Sequence, residues 1–450
     1  MSSSELREPP DPGLVVAAPA GGPRRALAHL SLNSFWLLAA RVAGLGLGLL
    51  FSGLLARALG TSGLGQFAFI SAVLFIGNAA ATFGLDTLLQ RDVASARARP
   101  AGSPALQETI NAVLLIQLGL SAVYIALLGL VAPNLPNQSP ATLPALWLAS
   151  LALIPLAFST VYSAILRAYE RMVHYLLFSL VVALVMAGGG VFIASGNGSL
   201  TAAAATLLLA QTAGALAAGW LCRHHVPALR WRWAWPSRLA VGRALRLGSV
   251  LAALMLLAVL YQRSGVLLLS LLEGDVAAGS YSAAARVLEA LKLVPGAFFG
   301  ALFPVMAREQ AAQEGVRSDS GTSRQLYART FAGLLIMSSN LPVATTLLAP
   351  FIVRLLFGPG YEAAAAALRI MCWSLPLTVI TFKLSFDLVI RGRERLAATS
   401  MALTLLIGGG LTAWLITRAG LAGAAWGLVG GEMAQVAILL SLGRAARGRG

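Results

Sequence analysis

The stretch from Asn111 to Val131 reads NAVLLIQLGLSAVYIALLGLV and holds no Asp, Glu, Lys, Arg or His. Its apolar residues do not alternate with polar ones, as a lipid-facing strand requires. They fill every face for about 20 residues, the length of a helix crossing a roughly 30 Å hydrocarbon core. Residues 397–417 repeat the pattern. Backbone polar groups in lipid must be paired internally, so only helices or closed barrels span a bilayer, and without a period of two, helices remain. The rest of the 450-residue chain agrees: 58% of it is hydrophobic and 11% charged, with a mean hydropathy of +0.79. A soluble protein averages about 25% charged residues, so this composition predicts an all-α polytopic membrane protein.

Twelve spans follow, near residues 33–56, 64–86, 109–132, 142–165, 173–195, 201–222, 246–270, 282–306, 328–350, 364–390, 397–417 and 421–443. Lys and Arg favour cytoplasmic loops. With the N-terminus inside, 24 of the 33 basic residues fall in inside segments, three (Arg57, Arg354, Arg418) outside, and six (Arg41, Arg263, Arg286, Lys292, Arg369, Lys383) within spans. This sorting fixes the expected orientation, with both termini cytoplasmic. The formal net charge of +16 thus reads as topology and attraction to anionic lipid, and nucleic acid is not an expected partner.

Residues 1–29 are polar and proline-containing, with no signal-peptide core before the first span, and read as a disordered cytoplasmic tail. Residues 30–222 form one expected six-helix bundle and 246–443 a second, with a basic tail at 444–450. The linker 223–245 contains Arg230-Trp231-Arg232-Trp233-Ala234-Trp235, alternating cations and indoles that suit the headgroup interface.

The halves resemble each other. Ile165-Leu166-Arg167-Ala168-Tyr169-Glu170-Arg171 has a counterpart in Val389-Ile390-Arg391-Gly392-Arg393-Glu394-Arg395. Gly188 to Gly190 matches Gly408 to Gly410, and Gly65-Gln66-Phe67 is echoed by Gly279-Ser280-Tyr281. Six spans per repeat is even, so the halves share one orientation and an axis along the membrane normal, a design of secondary transporters. Two such bundles enclose a central cavity.

The segment Leu54-Leu55-Ala56-Arg57-Ala58-Leu59-Gly60-Thr61-Ser62-Gly63-Leu64-Gly65-Gln66-Phe67 resembles the "ARxLGxxGxG" signature after the first span of polysaccharide-biosynthesis flippases, carried here by Arg57, Gly60, Gly63 and Gly65. Gly279 to Ala284 resembles their "GxYxxA" element, Phe303-Pro304 their "FP", Gly358 to Tyr361 their "LFGxxY" loop, and Gly420 to Ala425 their "GxxGAA". These oligosaccharide flippases belong to the MOP superfamily with the MATE drug antiporters and the peptidoglycan-precursor flippases. The resemblance, over about residues 30–440, implies flipping of an undecaprenyl-diphosphate-linked oligosaccharide from the inner to the outer leaflet of the bacterial cytoplasmic membrane. Expected partners are that polyprenyl diphosphate, membrane lipid, and polysaccharide polymerase or assembly proteins.

Ionisable groups at bilayer depth are functional candidates because each costs about 2.5–3.5 kcal/mol on insertion scales. Arg41, Arg263, Arg286, Lys292 and Lys383 are the expected cationic cavity, suited to a diphosphate. Glu289 and Asp387 are possible coupling or ion-pair groups. The spacing of Arg286, Glu289 and Lys292 puts them on one helix face. The bland alternatives are a snorkelling Lys383–Asp387 pair, Arg286 and Arg369 meeting water at span ends, and Asp86 and Glu432 as local partners.

Enzyme chemistry is not expected. The chain has no Gly-x-x-x-x-Gly-Lys phosphate loop, no catalytic polar loop, and no His and Cys set at metal spacing, so neither metal nor cofactor is called for. A MATE-like cation or drug antiporter is the alternative, and it requires acids for a cationic substrate. A non-transporting scaffold has no use for Arg41 and Lys292 in the membrane.

Overall fold

The computed structural model describes residues 23–96, 104–196, 198–226, 233–313, 321–390 and 393–447. Residues 1–22 of the expected tail, Arg230 to Arg232 of the linker, Arg391 and Gly392 of the repeat motif and 448–450 lie outside the described residues. The chain is α1 (Pro23–Thr82), α2 (Leu85–Ala96), α3 (Pro104–Val131), α4 (Thr142–Ser150), α5 (Leu153–Ala168), α6 (Met172–Ala194), α7 (Leu200–His225), α8 (Arg238–Leu272), α9 (Asp275–Gln313), α10 (Gly321–Phe357), α11 (Glu362–Met371), α12 (Ser374–Ile390) and α13 (Glu394–Arg447). No strand occurs among the described residues.

Eight described helical stretches are long and apolar enough to cross a membrane, nine with the α11–α12 pair, which bends by 42°. Two of the eight, Phe35–Thr82 and Leu396–Arg444, run 48 and 49 residues, over twice what a bilayer needs. Each is a hairpin. In α1 the backbone breaks at Gly60, whose φ of 70° is reached at little cost only by glycine. The rings of Phe51 and Phe67 then meet at 5.3 Å, where 16 residues of straight helix would hold them about 24 Å apart. In α13 the break falls at Ala419 and Gly420, and a Cβ on Gly408 would lie 3.0 Å from the Gly431 Cα. Helix α9 has span length, but Arg286, Glu289 and Lys292 lower its apolarity. With the hairpins divided, the bent pair joined and α9 included, the architecture is consistent with the expected twelve segments.

The halves meet closely at the end carrying the Gly60 break. A Cβ on Gly65 would overlap the Asp275 carbonyl and approach the Gly279 nitrogen to 2.8 Å; one on Gly279 would overlap the Thr61 carbonyl. Gly65 and Gly279 are the positions matched in the sequence repeat, and equivalent positions that touch must lie beside the axis relating them. Close backbone approach through small residues is how membrane helices associate without a hydrophobic drive. One core cluster at this end draws on both halves, from Phe51 and Leu153 to Leu269, Phe357 and Ala425. At the far end the described residues form separate clusters, one around Leu85, Ile110 and Leu166, a small one around Leu334 and Val379. Among the described residues the halves are therefore joined by a common core at the Gly60 end, and at the other end by a strap made by the start of α8.

Candidate functional site

Helix α9 supplies the scaffold. Arg286, Glu289 and Lys292 recur every three residues and so share a face. Glu289 Oε2 accepts from Arg286 Nη1 at 3.3 Å, while its Oε1 accepts from Arg263 Nη1 of α8 at 3.2 Å. The Arg263 guanidinium lies over the Phe75 ring of α1, 4.5 Å from its centroid, so a cation anchored in the second half reaches the first half through a cation–π contact.

One turn along α9, Lys292 Nζ donates to Glu432 Oε1 of α13 at 3.1 Å. Thr378 Oγ1 of α12 donates to the same oxygen at 3.2 Å. Tyr261 of α8 packs against Gly408 and Gly431 beside this carboxylate, and its hydroxyl is buried with no hydrogen-bond partner among the described residues. Four helices thus converge. Glu432 keeps only 8% of its side-chain surface, whereas Arg263, Arg286, Glu289 and Lys292 keep 20 to 35%. The cations therefore border open space while one acid is sealed behind them. Three cations face two carboxylates, leaving one positive charge in excess. Removing one partner of a buried ion pair costs about 3–5 kcal/mol, because a stranded charge remains.

The other expected site residues are placed differently. Arg41 is exposed on α1 and has no hydrogen-bond or ion-pair partner among the described residues. Lys383 of α12 lies over the Phe331 ring at 4.3 Å, beside the small Leu334 and Val379 cluster, with Asp387 one turn further on. Arg57 Nη2 donates to the Leu355 carbonyl at 2.6 Å, a cation at the C-terminal end of α10 where helix carbonyls lack partners. Gly60 makes the break, and a Cβ on Gly63 would run into the Leu59 side chain. Asp86 pairs with Arg167 at 3.5 Å near the far end.

Sequence reading gave Glu432 only a local role and passed over Thr378. A signal was present: Glu432 is the one carboxylate between residues 395 and 450, in an otherwise apolar span. Its partners sit 140 and 54 residues away, and no periodicity links them.

The sequence profile of the polysaccharide biosynthesis protein family matches residues 30–310, more than half of the chain. The chain belongs to that family. No curated protein sequence matches it. Among solved structures, an inward closed form of the lipid II flippase MurJ superposes with a TM-score of 0.69 at 15% identity, covering 91% of this chain and 86% of that one. An inward-facing multidrug resistance MATE transporter of the MOP superfamily gives 0.68 at 18% identity, over 90% of this chain and 94% of that one. A MOP superfamily transporter from Pyrococcus furiosus, described as having a binding pocket of reverse polarity, gives 0.61 at 14%, over 95% and 96%. At these identities the likeness establishes the fold, that of MOP superfamily transporters, and with the apolar helices it makes the chain a multi-pass membrane protein.

Proposed function

We propose that this protein flips an undecaprenyl-diphosphate-linked oligosaccharide from the inner to the outer leaflet of the bacterial cytoplasmic membrane by alternating access, with both termini cytoplasmic. The observation that carries this reading is the network of Arg263, Arg286 and Lys292, one positive charge in excess over Glu289 and Glu432, with its cations partly exposed and Arg263 reaching the first half at Phe75. A diphosphate competes with the two carboxylates for these cations. Arginine offers it a bidentate fork and Lys292 a compact charge, and Arg41 on the opposite half adds a second excess cation. The glycan crosses between the halves while the prenyl chain stays in lipid. The polysaccharide biosynthesis family supports the glycan, and the fold shared with a lipid II flippase supports a lipid-linked carrier. The 24 to 3 distribution of loop cations supports the orientation.

The MATE-like antiporter reading draws on Glu289 and Glu432, acids of the kind a cationic substrate needs. Both are already held by cations of the chain, and binding a cation there would first break those pairs. Proteoliposomes carrying a fluorescent undecaprenyl-diphosphate oligosaccharide decide between the readings. Wild type is expected to flip the lipid, and Arg263→Ala, Lys292→Ala and Arg41→Ala to slow it tenfold or more while remaining folded. Wild type that ignores the lipid-linked glycan and exchanges cationic dyes for protons overturns the flippase reading.

A further inference from the structure

From residue 171 to residue 272 the chain contains no Asp or Glu and eight arginines. Several of these surround the junction of the two halves. Helix α7 ends at His225 and α8 begins at Arg238, and Cys222, Val226 and Ala244 share one core cluster, so both helix ends are packed at the same end of the bundle. Arg223, Arg238, Arg243 and Arg246 are all exposed there. Between them the apolar side chains also face outward: Trp235 is 78% exposed, Trp233 49% and Leu239 85%, and the two indoles meet edge to face at 6.0 Å. Water is a poor solvent for that surface, since exposed apolar area costs about 25 cal/mol per Å². A membrane interface suits both indoles and guanidinium groups, which carry a polar tip on an apolar body.

The order along α8 fits. Arg238, Arg243 and Arg246 lie in its first turns, ahead of the run 247–262, which holds no charged residue. The opposite face of the same turns is occupied: Ala244 and Ala252 are buried, and Gly248 abuts Leu85 and the Phe83 carbonyl of the first half. The carboxylate nearest the helix start, Glu108, accepts from the Ser237 backbone N–H at 3.1 Å and is engaged as a cap.

We propose that Arg223, Arg238, Arg243 and Arg246, with Trp233 and Trp235, form a docking surface for the headgroups of anionic phospholipids. Because α8 starts on the first half and ends in the core common to both, lipid held here fixes the strap between the halves. Each cation at an anionic surface is worth about fivefold in binding, so removing three is expected to weaken retention at least tenfold. The inference stands apart from the transported substrate, and its test uses no transport.

Full-length protein is exchanged into bilayer discs of phosphatidylcholine alone or an equal mixture with phosphatidylglycerol, and retained lipids are counted by native mass spectrometry alongside melting temperature. Wild type is expected to retain phosphatidylglycerol over phosphatidylcholine and to melt higher in the mixture. Arg238→Gln/Arg243→Gln/Arg246→Gln is expected to lose both effects, and the Arg→Lys triple to keep most of them. Trp233→Ala/Trp235→Ala, whose side chains are exposed, is expected to fold and to reduce retention, and keeps the proposal testable if the arginine variant fails to fold. Equal retention of the two lipids by wild type, undiminished phosphatidylglycerol in the glutamine variant, or equally tight binding of a soluble acidic peptide in detergent overturns the proposal.

Discussion

The two halves share one backbone plan and differ in what that plan encloses. In the second half α8, α9, α12 and α13 bring Arg263, Arg286, Glu289, Lys292 and Glu432 into two linked ion-pair groups. In the first half the membrane-depth charge is Arg41, without an ion-pair partner among the described residues, and the buried polar side chains are neutral, such as Gln117, Ser121 and Ser159. The first half's described ion pair between helices, Asp86 with Arg167, lies near the far end, whereas the second half gathers two linked groups on α9. On the proposed reading, two similar bundles supply the moving bodies, and side-chain differences in one make it the reader of the ionic ligand.

The most severe test strikes what the halves have in common. Gly65→Val and Gly279→Val each push a side chain into the backbone of the opposite half, so both are expected to prevent the Gly60 end from joining, with loss of transport and a large drop in thermal stability. Unequal losses would show that the contact is not symmetric. The next strikes the difference. Lys292→Ala leaves Glu432 buried without its cation and is expected to cost about 3–5 kcal/mol of stability; Lys292→Met with Glu432→Gln is expected to restore most of that stability and not transport. Arg41→Ala is expected to leave the melting temperature unchanged, and an equal loss there would erase the contrast between the halves.

Smaller effects sharpen the edges of the comparison. Arg57→Ala removes a charge-assisted bond to the Leu355 carbonyl and is expected to cost about 1.5–3 kcal/mol, read as a lowered melting temperature. The smallest is a pH effect at the α8 strap. The Ser237 hydroxyl and then its backbone N–H hold the Glu108 carboxyl below its ordinary pKa. A depressed folded-state pKa contributes stability that is present above the unfolded value, about 4.3, and disappears as pH falls through the folded value. Melting curves of wild type and Glu108→Gln are expected to differ slightly at neutral pH and to converge in acid; a constant offset would remove this contact from the strap.

Much of the fold was legible because lipid imposes it. A run such as 111–131 has one stable way to lie in a bilayer, and Gly60 and Gly420 stand where the apolar pattern restarts. The repeat was legible from a few glycines whose job, close backbone contact, no other residue can do. The site was less so. Arg263, Arg286, Glu289 and Lys292 announced themselves as charges in apolar spans, but which acid held which cation depended on helices meeting from far along the chain, and Glu432 was underrated for that reason. Lys383 and Arg41 carried the same signal as Lys292, yet the fold put one over a phenylalanine ring and gave the other no ion-pair partner among the described residues.

Sequence alone determined that the chain crosses a membrane as helices, roughly where each span begins and ends, and that its halves resemble each other, because solvent transfer acts on each segment by itself. The tertiary structure decided the pairing of Lys292 with Glu432 and Thr378, the reach of Arg263 to Phe75, and the contact of Gly65 with Gly279. Those depend on distances between helices, and an ionic interaction in a low-dielectric interior takes its strength and its meaning from distance.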